Sequence, residues 1–247
     1  MDIKTSSVLS EVDGEKGFFV GSMITEDINV LRNLVREQYL CRILTLCPLY
    51  SKQLFECSMN QYHKFSKRID HKELWPKRAR ILGPSSLNTF KGLRFFKDLE
   101  KELNISEITG EEQSGWQEVY WRIVRPGNAD IGNFHADRWF WDMGHGDIKQ
   151  GCRRLKIWIA LETVIGKSGL RVLPGSHKKQ NWKYHGQNDH TGVTKPVFNE
   201  DLSQLHIYDV PTKPGDFIVF HDDLVHAGMP NQSDLTRVSL EATLLIL

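Results

Sequence analysis

Two side chains that can bind a metal ion lie two residues apart in the segment Asn133–Asp137. Side chains at positions i and i+2 of an extended segment project to the same side. The imidazole of His135 and the carboxylate of Asp137 can therefore converge on one ion. Such a pair is weak evidence alone, because it also occurs by chance and His135 could be a polar loop residue.

The best candidate for a third ligand is His226, which lies shortly after the apolar segment Phe217–Phe220. Two imidazoles and one carboxylate on one face of a metal leave the opposite positions open, an arrangement typical of non-haem iron(II) oxygenases. Taken alone, His226 could equally be a hydrogen-bonded histidine of the core.

An arginine and a serine follow this histidine in an otherwise apolar segment. Arg237 comes eleven residues after His226, and Arg237 and Ser239 alternate onto one side of the predicted strand Val238–Leu247. Burying a guanidinium is costly unless its charge is paired, and a guanidinium can bind a carboxylate through two parallel hydrogen bonds. The pattern favours a site for a co-substrate carboxylate. The alternative is an arginine that reaches solvent or a structural aspartate.

The elements that must position these residues change character near residue 115. Before residue 115 helical periodicity dominates. We predict a short strand over Gly17–Val20 and a helix from Thr25 to about Leu40, with its cap in Thr25–Asp27. Two further helical segments are predicted over roughly Lys52–Phe65 and Leu87–Leu103. After residue 115 we predict short strands separated by Pro/Gly turns: Glu118–Val124, Leu155–Leu161, Leu170–Leu173, Phe217–Phe220 and Val238–Leu247.

This order of elements predicts a mainly β fold with N-terminal helices, a β-sandwich or jelly roll in which the helices cover one sheet. We expect a single domain over residues 1–247, with a helical part over roughly 1–115 and a jelly-roll core over roughly 116–247.

The composition narrows the class of protein. The chain has 247 residues, of which 40% are hydrophobic and 26% charged, as in ordinary soluble domains. Its 32 basic and 31 acidic residues argue against a nucleic acid or an anionic membrane surface as partner. No apolar run reaches about 18 residues, and the four cysteines form no CxxC pair. We therefore expect a cytoplasmic protein, a setting that would also keep iron ferrous.

Taken together, these segments resemble the phytanoyl-CoA dioxygenase family of iron(II)/2-oxoglutarate oxygenases. The resemblance covers roughly residues 116–247, with a weaker match over 17–40. It is carried, in order, by Asn133–Asp137, Leu155–Glu162, Gly169–Lys178 with its PGSH element, Pro214–Phe220, His226 and Arg237–Ser239. The order of these segments and the spacing from His226 to Arg237 are more specific than any single motif.

The resemblance implies a double-stranded β-helix, the jelly roll also found in cupins. His135, Asp137 and His226 match the iron ligands of the family. Arg237 matches the residue that pairs with the distal carboxylate of 2-oxoglutarate, and Ser239 resembles its hydrogen-bonding helper.

Trp158 matches an aromatic residue that lines the co-substrate pocket in some members. The cofactors implied are iron(II), 2-oxoglutarate and dioxygen. The implied reaction couples decarboxylation of 2-oxoglutarate to succinate with oxidation of a C–H bond, most often hydroxylation. The carboxylate of Asp137 argues against halogenation.

The residues around the metal motif bear on the substrate. Arg138, Trp139 and Trp141 follow the motif and either wall a substrate pocket or pack on the sheet. Arg122 could point inward and contact 2-oxoglutarate or an anionic substrate. The polar segment Lys178–Gln204, which contains His185 and His190, is either a lid or an exposed insertion.

Because the segment Arg138–Arg154 is longer than in simple family members, we carry over no CoA thioester. The balanced charge and polar, aromatic surroundings favour a small polar metabolite or a biosynthetic intermediate. We expect a monomer or homodimer.

Two alternatives stay open. The first is a cupin-like metal enzyme that does not use 2-oxoglutarate, against which Arg237 and Ser239 argue. The second is a non-catalytic barrel that binds a small molecule, against which the intact set of three ligands argues.

Overall fold

The structure is a computed structural model that describes residues 7–112, 114–127, 130–146, 148–188 and 192–247. Within these ranges the α-helices are α1 Val8–Val12, α2 Thr25–Leu46, α3 Ser51–Glu56, α4 His63–Ser66, α5 His71–Leu74, α6 Pro84–Gly92, α7 Arg94–Leu103 and α8 Asp137–Asp142. Short 3-10 helices cover Pro48–Tyr50, Met59–Gln61, Lys77–Arg80, Ser176–Lys178 and Leu202–Gln204. None of the described helices has the length and apolar character that crossing a membrane requires.

The strands are β1 Phe18–Ser22, β2 Ile105–Thr109, β3 Val119–Val124, β4 Arg153–Glu162, β5 Leu170–Val172, β6 Tyr184–Asn188, β7 Thr194–Phe198, β8 Tyr208–Val210, β9 Asp216–His221, β10 His226–Gly228 and β11 Arg237–Ile246. They form a large antiparallel sheet in the order β1-β9-β4-β11-β2, in which β3 also pairs with β11. A smaller sheet has the order β10-β5-β8, and β6 and β7 form a hairpin.

The two main sheets pack face to face. Side chains from both, including Trp158 and Ile218 of the large sheet and Val172 and Val210 of the small sheet, form one buried cluster between them. The candidate active site opens beside this cluster. This arrangement confirms the jelly-roll class predicted from the sequence.

The other face of the large sheet is covered by helices. Alternate residues of β11, such as Leu240 and Leu244, pack with Leu31 and Val35 of α2 in the main hydrophobic core. Burial of each such side chain contributes about 1.5–3 kcal/mol. The intervening residues of β11 must then face the interior between the sheets, because side chains alternate along a strand.

Strands from both parts of the chain share the large sheet. β1 pairs with β9, and β2 pairs with β11. The boundary expected near residue 115 therefore does not separate helices from sheet, and β2 was missed by the sequence analysis. Because both parts contribute to one sheet, we retain a single domain as our proposal.

The predicted strands after residue 115 are all present, but the helices differ. The helix that begins at Thr25 extends to Leu46, and its N-cap is Ile24 without a side-chain cap. Leu93 interrupts the helix predicted over Leu87–Leu103, because its backbone is extended between α6 and α7. A hydrogen bond of 2.8 Å from Phe95 N to the Asp27 carboxylate fixes the new helix start.

Two further segments differ from expectation. The helix predicted over Lys52–Phe65 is divided into α3, a 3-10 turn and α4. The segment Lys178–Gln204 contains the hairpin of β6 and β7, which was not predicted as strand. His185 of this hairpin bonds to Asn199, whereas His190 lies outside the described residues.

Candidate active site

The three predicted ligands converge at one end of the space between the sheets. His135 and His226 form an antiparallel bridge through backbone hydrogen bonds of 3.0 and 2.9 Å. Ala136 is extended, so Asp137, the first residue of helix α8, projects to the same side as His135. Ligand atoms of the three side chains lie within 4.8 Å of one another. The i, i+2 argument from the sequence therefore gives the observed convergence.

Both imidazoles are oriented by backbone carbonyl groups. The Nδ1 atom of His135 lies 2.7 Å from the carbonyl oxygen of Asn133, and Nδ1 of His226 lies 2.9 Å from that of Leu224. A carbonyl oxygen can only accept, so Nδ1 carries the proton and Nε2 presents its lone pair. Burial lowers the pKa of His226 to about 4, which keeps the ring neutral. Neutral, oriented imidazoles are what a metal ion requires.

The carboxylate of Asp137 completes a donor set that fits iron(II). Its Oδ2 atom is buried and has no hydrogen-bond partner among the described residues, and it lies 3.5 Å from Nε2 of His226. An unsatisfied buried carboxylate oxygen beside a free imidazole nitrogen is the arrangement expected where a cation binds.

Arg237 lines the same inner cavity as the three ligands. No carboxylate of the described residues pairs with it. It is 2% exposed, and Nη1 donates to the carbonyl oxygens of Gly169 and Met229 at 2.5 and 3.2 Å. Its Nε atom has no partner, and no described carboxylate forms an ion pair with it. Burial lowers the pKa of Arg237 to about 10. The guanidinium is thus held in place and ready to bind an anion.

The remaining predicted co-substrate residues also face inward. The Oγ atom of Ser239 is buried without a hydrogen-bond partner among the described residues. Trp158 lines the inner cavity, in which the space not filled by atoms, open solvent included, is about 510 Å³. Arg122 lines it too, but its Nε lies 2.6 Å from Glu241. A contact of Arg122 with 2-oxoglutarate or substrate stays a prediction.

The residues that follow the metal motif point elsewhere. Trp139 stacks on Tyr184 at 4.3 Å between ring centroids, and Trp141 packs against the Arg154 guanidinium. Arg138 is exposed and pairs with Asp223 at 3.3 Å.

None of the predicted substrate residues Arg138, Trp139 and Trp141 lines the inner cavity, which contains the triad of His135, Asp137 and His226, or the wider outer cavity beside it. Because α8 is a helix, residues three apart share a face. Phe140, three residues after Asp137, therefore lines the cavity instead and packs edge-on against His135.

The sequence analysis missed two charged residues of the inner cavity. Lys156 lies next to the triad, and Glu241 accepts a hydrogen bond of 2.7 Å from the Tyr120 hydroxyl. Burial raises the pKa of Glu241, but the charges of Arg122 and Lys156 and the hydrogen bond from Tyr120 together outweigh it and lower the pKa to about 2. The sequence contained a signal for both residues. Lys156 lies two residues before Trp158 in β4, and Glu241 lies two residues after Ser239 in β11, so each shares a face with a predicted site residue.

A wider outer cavity adjoins the inner one. The two cavities share several lining residues, including Arg122, His135 and Asp137. The space in it that is not filled by atoms, open solvent included, is about 1370 Å³. Its other lining residues come from the 3-10 helix Lys77–Arg80, from Glu111, from the strip Ile131–Asn133, from Phe140 and from the hairpin residues Gln187, Asn188, Lys195, Pro196 and Val197. A substrate that approaches the triad would pass through this space.

Solved structures of similar fold come from the non-haem oxygenases. The carbocyclase SnoK from nogalamycin biosynthesis, described as non-haem and α-ketoglutarate dependent, is 13% identical with a TM-score of 0.59, covering 99% of this chain and 85% of SnoK. EctD from S. alaskensis, solved with 2-oxoglutarate and 5-hydroxyectoine, is 15% identical with a TM-score of 0.59, covering 99% and 76%. EvdO2 from Micromonospora carbonacea var. aurantiaca, solved with 2-oxoglutarate, is 15% identical with a TM-score of 0.57, covering 100% and 91%.

At these identities the similarity establishes the fold. No curated protein matches the sequence. The sequence profile of the phytanoyl-CoA dioxygenases matches residues 62–239, which is more than half of the chain and includes every proposed ligand and Arg237. The chain therefore belongs to the phytanoyl-CoA dioxygenase (PhyH) family.

Proposed function

We propose that this chain hydroxylates a C–H bond of a small polar metabolite or biosynthetic intermediate, with His135, Asp137 and His226 as its iron ligands. Its membership of the PhyH family assigns it to the iron- and 2-oxoglutarate-dependent non-haem oxygenases. The bound iron(II), 2-oxoglutarate and dioxygen would supply the oxidative chemistry, and succinate and carbon dioxide would be released.

One observation carries the proposal: an ion-binding triad and an unpaired guanidinium line the same cavity. His135, Asp137 and His226 offer two imidazoles and one carboxylate, and Arg237 offers a buried cation without a carboxylate partner among the described residues. The two imidazoles and the carboxylate can bind a metal ion, and the guanidinium of Arg237 can bind a carboxylate. 2-Oxoglutarate is a ligand that carries a chelating end for the metal and a second carboxylate for Arg237.

The chain's own residues bind, orient and shield the reactants. The carbonyl groups of Asn133 and Leu224 fix the two imidazoles, and those of Gly169 and Met229 fix the guanidinium of Arg237. The Oγ of Ser239 is available to donate to the same carboxylate. Because Asp137 occupies a ligand position with a carboxylate, the site favours hydroxylation over halogenation.

The substrate class is supported by the fold neighbours as well as by the polar outer cavity. EctD was solved with 5-hydroxyectoine, and SnoK takes part in the biosynthesis of nogalamycin. The bound compound and the pathway belong to those two proteins. They support a small molecule here, and the polar lining of the outer cavity favours one with several polar groups.

The proposal is tested first by binding. Calorimetry should show that 2-oxoglutarate binds to the protein loaded with iron(II) under anaerobic conditions. Arg237→Ala should weaken this binding by about a hundredfold or more, since a charged, bidentate contact contributes about 3 kcal/mol. The variant should retain its metal, because Arg237 does not touch the triad.

The metal ligands have a matched control in the chain. His221, Asp222 and Asp223 also bring ligand atoms close together, but they lie outside the two cavities. His226→Ala should abolish iron binding and succinate release, whereas His221→Ala should retain both. If 2-oxoglutarate does not bind, and no compound in a broad panel stimulates succinate release, the proposed function is wrong.

A further inference from the structure

A second guanidinium that pairs with no carboxylate of the described residues lies in the outer cavity. Arg80 ends the 3-10 helix Lys77–Arg80 and is half-buried. Its Nε donates to the carbonyl oxygen of Trp75 at 3.0 Å, and Nη1 donates to that of Trp121 at 2.5 Å. No carboxylate in the described ranges forms an ion pair with Arg80. The side chain is therefore held in position while its charge is not neutralised.

Other cations of the cavity wall already have carboxylate partners. Arg122 pairs with Glu241 at 2.6 Å. Lys77 lies 2.7 Å from Glu111 and 3.2 Å from Glu112. Against this background Arg80 resembles Arg237, the guanidinium that we assign to the co-substrate.

The surroundings of Arg80 disfavour an isolated positive charge. Burial and the nearby positive charge of Arg122 lower its pKa to about 10, although Tyr120, Glu241 and Glu112 oppose this. Two like charges side by side in a partly desolvated cavity are mutually destabilising. An anion bound next to Arg80 would relieve this repulsion, and a planar guanidinium suits carboxylate and phosphate groups.

The charges that line the two cavities do not balance. Besides Lys195, five cationic side chains line them, namely Lys77, Arg80, Arg122, Lys156 and Arg237. Three described carboxylates of the lining oppose these five, namely Glu111, Asp137 and Glu241, and Glu112 outside the lining pairs with Lys77. Iron(II) brings two positive charges and 2-oxoglutarate brings two negative ones, so loading the site leaves the excess unchanged.

We infer that the substrate carries a carboxylate or phosphate group, which Arg80 binds at the wall of the outer cavity while Lys195 attracts it at the rim. The inference rests on the proposed function, because it assigns Arg237 to 2-oxoglutarate and the outer cavity to the substrate. Lys195 is exposed on β7 and lines the same cavity, so it suits a role in attracting an anion from solvent.

The test compares anions with a neutral analogue of the same shape. Benzoate, phenyl phosphate and benzamide are titrated by calorimetry into anaerobic protein loaded with iron(II) and saturated with 2-oxoglutarate. Saturation prevents the carboxylate probe from occupying the site of Arg237. We expect at least one anion to bind about tenfold or more tightly than benzamide. Its identity distinguishes a carboxylate from a phosphate site.

Variants then locate the anion site. Arg80→Gln should lower the affinity for the preferred anion by about tenfold or more, while benzamide and 2-oxoglutarate bind as in the wild type. Arg78→Gln is the matched control, because Arg78 lies in the same 3-10 helix but is exposed and lines neither cavity. It should leave all affinities unchanged.

A second variant covers the case in which Arg80→Gln fails to fold, since Arg80 also bonds to two backbone carbonyls. Lys195→Glu changes an exposed residue and should weaken anion binding, most strongly at low salt. Lys183→Glu, on the exposed segment before β6, is its control.

The outcomes separate this inference from the proposed function. If neither anion binds more tightly than benzamide, or if both Arg80→Gln and Lys195→Glu bind anions as the wild type does, the anionic substrate is wrong. In that case normal binding of 2-oxoglutarate still supports the proposed function. If 2-oxoglutarate itself does not bind to the wild-type protein, the proposed function fails, and with it the basis of the inference.

Discussion

The Nζ atom of Lys156 lies 3.5 Å from Oδ1 of Asp137, so a buried ammonium faces the carboxylate of the proposed metal site. Lys156 is 2% exposed, and Nζ is 3.0 Å from the hydroxyl of Thr243. Burial lowers the pKa of Lys156, but the nearby acidic groups, of which Asp137 has the largest effect, together outweigh this and raise the pKa. Lys156 thus supplies, in the metal-free protein, part of the positive charge that a metal ion supplies in the loaded protein.

Replacement of Lys156 by methionine should therefore destabilise the metal-free protein more than the loaded protein. Removing one partner of a buried ion pair costs about 3–5 kcal/mol, because the other charge is left uncompensated. Urea denaturation of metal-free Lys156→Met should show a loss of this order. Zinc(II), a redox-inert substitute, should then stabilise the variant more than it stabilises the wild type.

Lys77→Met is the matched control for this experiment. It removes a cation that pairs with Glu111 in the outer cavity and does not touch the triad. Zinc should stabilise Lys77→Met and the wild type equally. An equal effect of zinc on Lys156→Met and Lys77→Met would contradict the relationship between Lys156 and Asp137.

Local periodicity was sufficient to predict most of the inner cavity. The spacing of His135 and Asp137 gave their convergence because the intervening Ala136 is extended. The alternation of Arg237 and Ser239 gave their common face on β11. Glu241 lies two residues after Ser239 on the same strand, so the same alternation also predicts that Glu241 faces the cavity.

Long-range contacts and short helices could not be predicted in this way. Arg80 reaches the cavity wall through a hydrogen bond to Trp121, which lies 41 residues away in the sequence. No local pattern indicates such a contact. Helix α8 has six residues, which is too short for helical periodicity to be recognised, and the sequence therefore left open whether Trp139 and Trp141 wall a pocket or pack on the sheet.

Phe140 and Trp139 are adjacent in the sequence, but we expect their replacement to affect different properties, namely turnover and stability. Phe140→Ala removes a ring that lines the outer cavity and packs on His135. It should raise the fraction of 2-oxoglutarate that is consumed without product formation, with little loss of stability. The ratio of succinate to hydroxylated product measures this effect.

Trp139→Ala should instead act on stability. Its side chain is 5% exposed and packs in a cluster with Phe134 and Leu173. Removing a buried tryptophan costs about 3–5 kcal/mol, which urea denaturation would detect. The folded variant should bind 2-oxoglutarate normally. A specific loss of 2-oxoglutarate or substrate binding in this variant would restore Trp139 to the site.

His71 should make the stability of the protein fall in acid. Burial lowers the pKa of His71 to about 4, although the charge of Asp130 opposes this. Because the folded pKa lies below the value of about 6.5 in the unfolded chain, the unfolded chain takes up the proton first. The contribution of His71 is present above about pH 6.5 and is lost as the pH falls towards about 4.

His71→Gln should remove this part of the pH dependence. The wild type should lose about 2 kcal/mol more than the variant between pH 7 and pH 4.5, as measured by urea denaturation at both values. In the wild type the Tyr62 hydroxyl is hydrogen-bonded to Nδ1 of His71. The side-chain oxygen of glutamine can still accept a hydrogen bond from this hydroxyl. His206→Gln, at an exposed position, is the control and should behave as the wild type does. Parallel pH profiles for the wild type and His71→Gln would exclude this role.

Gly228 gives the guanidinium of Arg237 the space that it needs. A Cβ atom at this position of β10 would lie 3.1 Å from Nη2 of Arg237 and 3.1 Å from Cγ2 of Ile131. Gly228→Ala should therefore displace the guanidinium by a few tenths of an ångström. Binding of a carboxylate through two parallel hydrogen bonds depends on this geometry, so the affinity for 2-oxoglutarate should fall by about tenfold, or about 1.4 kcal/mol.

The metal affinity of Gly228→Ala should be unchanged, because the heavy atoms nearest to the added methyl group belong to Arg237 and Ile131 and not to the triad. Gly132→Ala tests a second glycine of the same cavity wall, where the nearest heavy atom to a Cβ would be Cε1 of His135 at 4.0 Å. That distance is an ordinary contact, and calorimetry should show unaltered 2-oxoglutarate binding. Equal losses in Gly132→Ala and Gly228→Ala would mean that crowding of the cavity in general, and not displacement of Arg237, controls the affinity for the co-substrate.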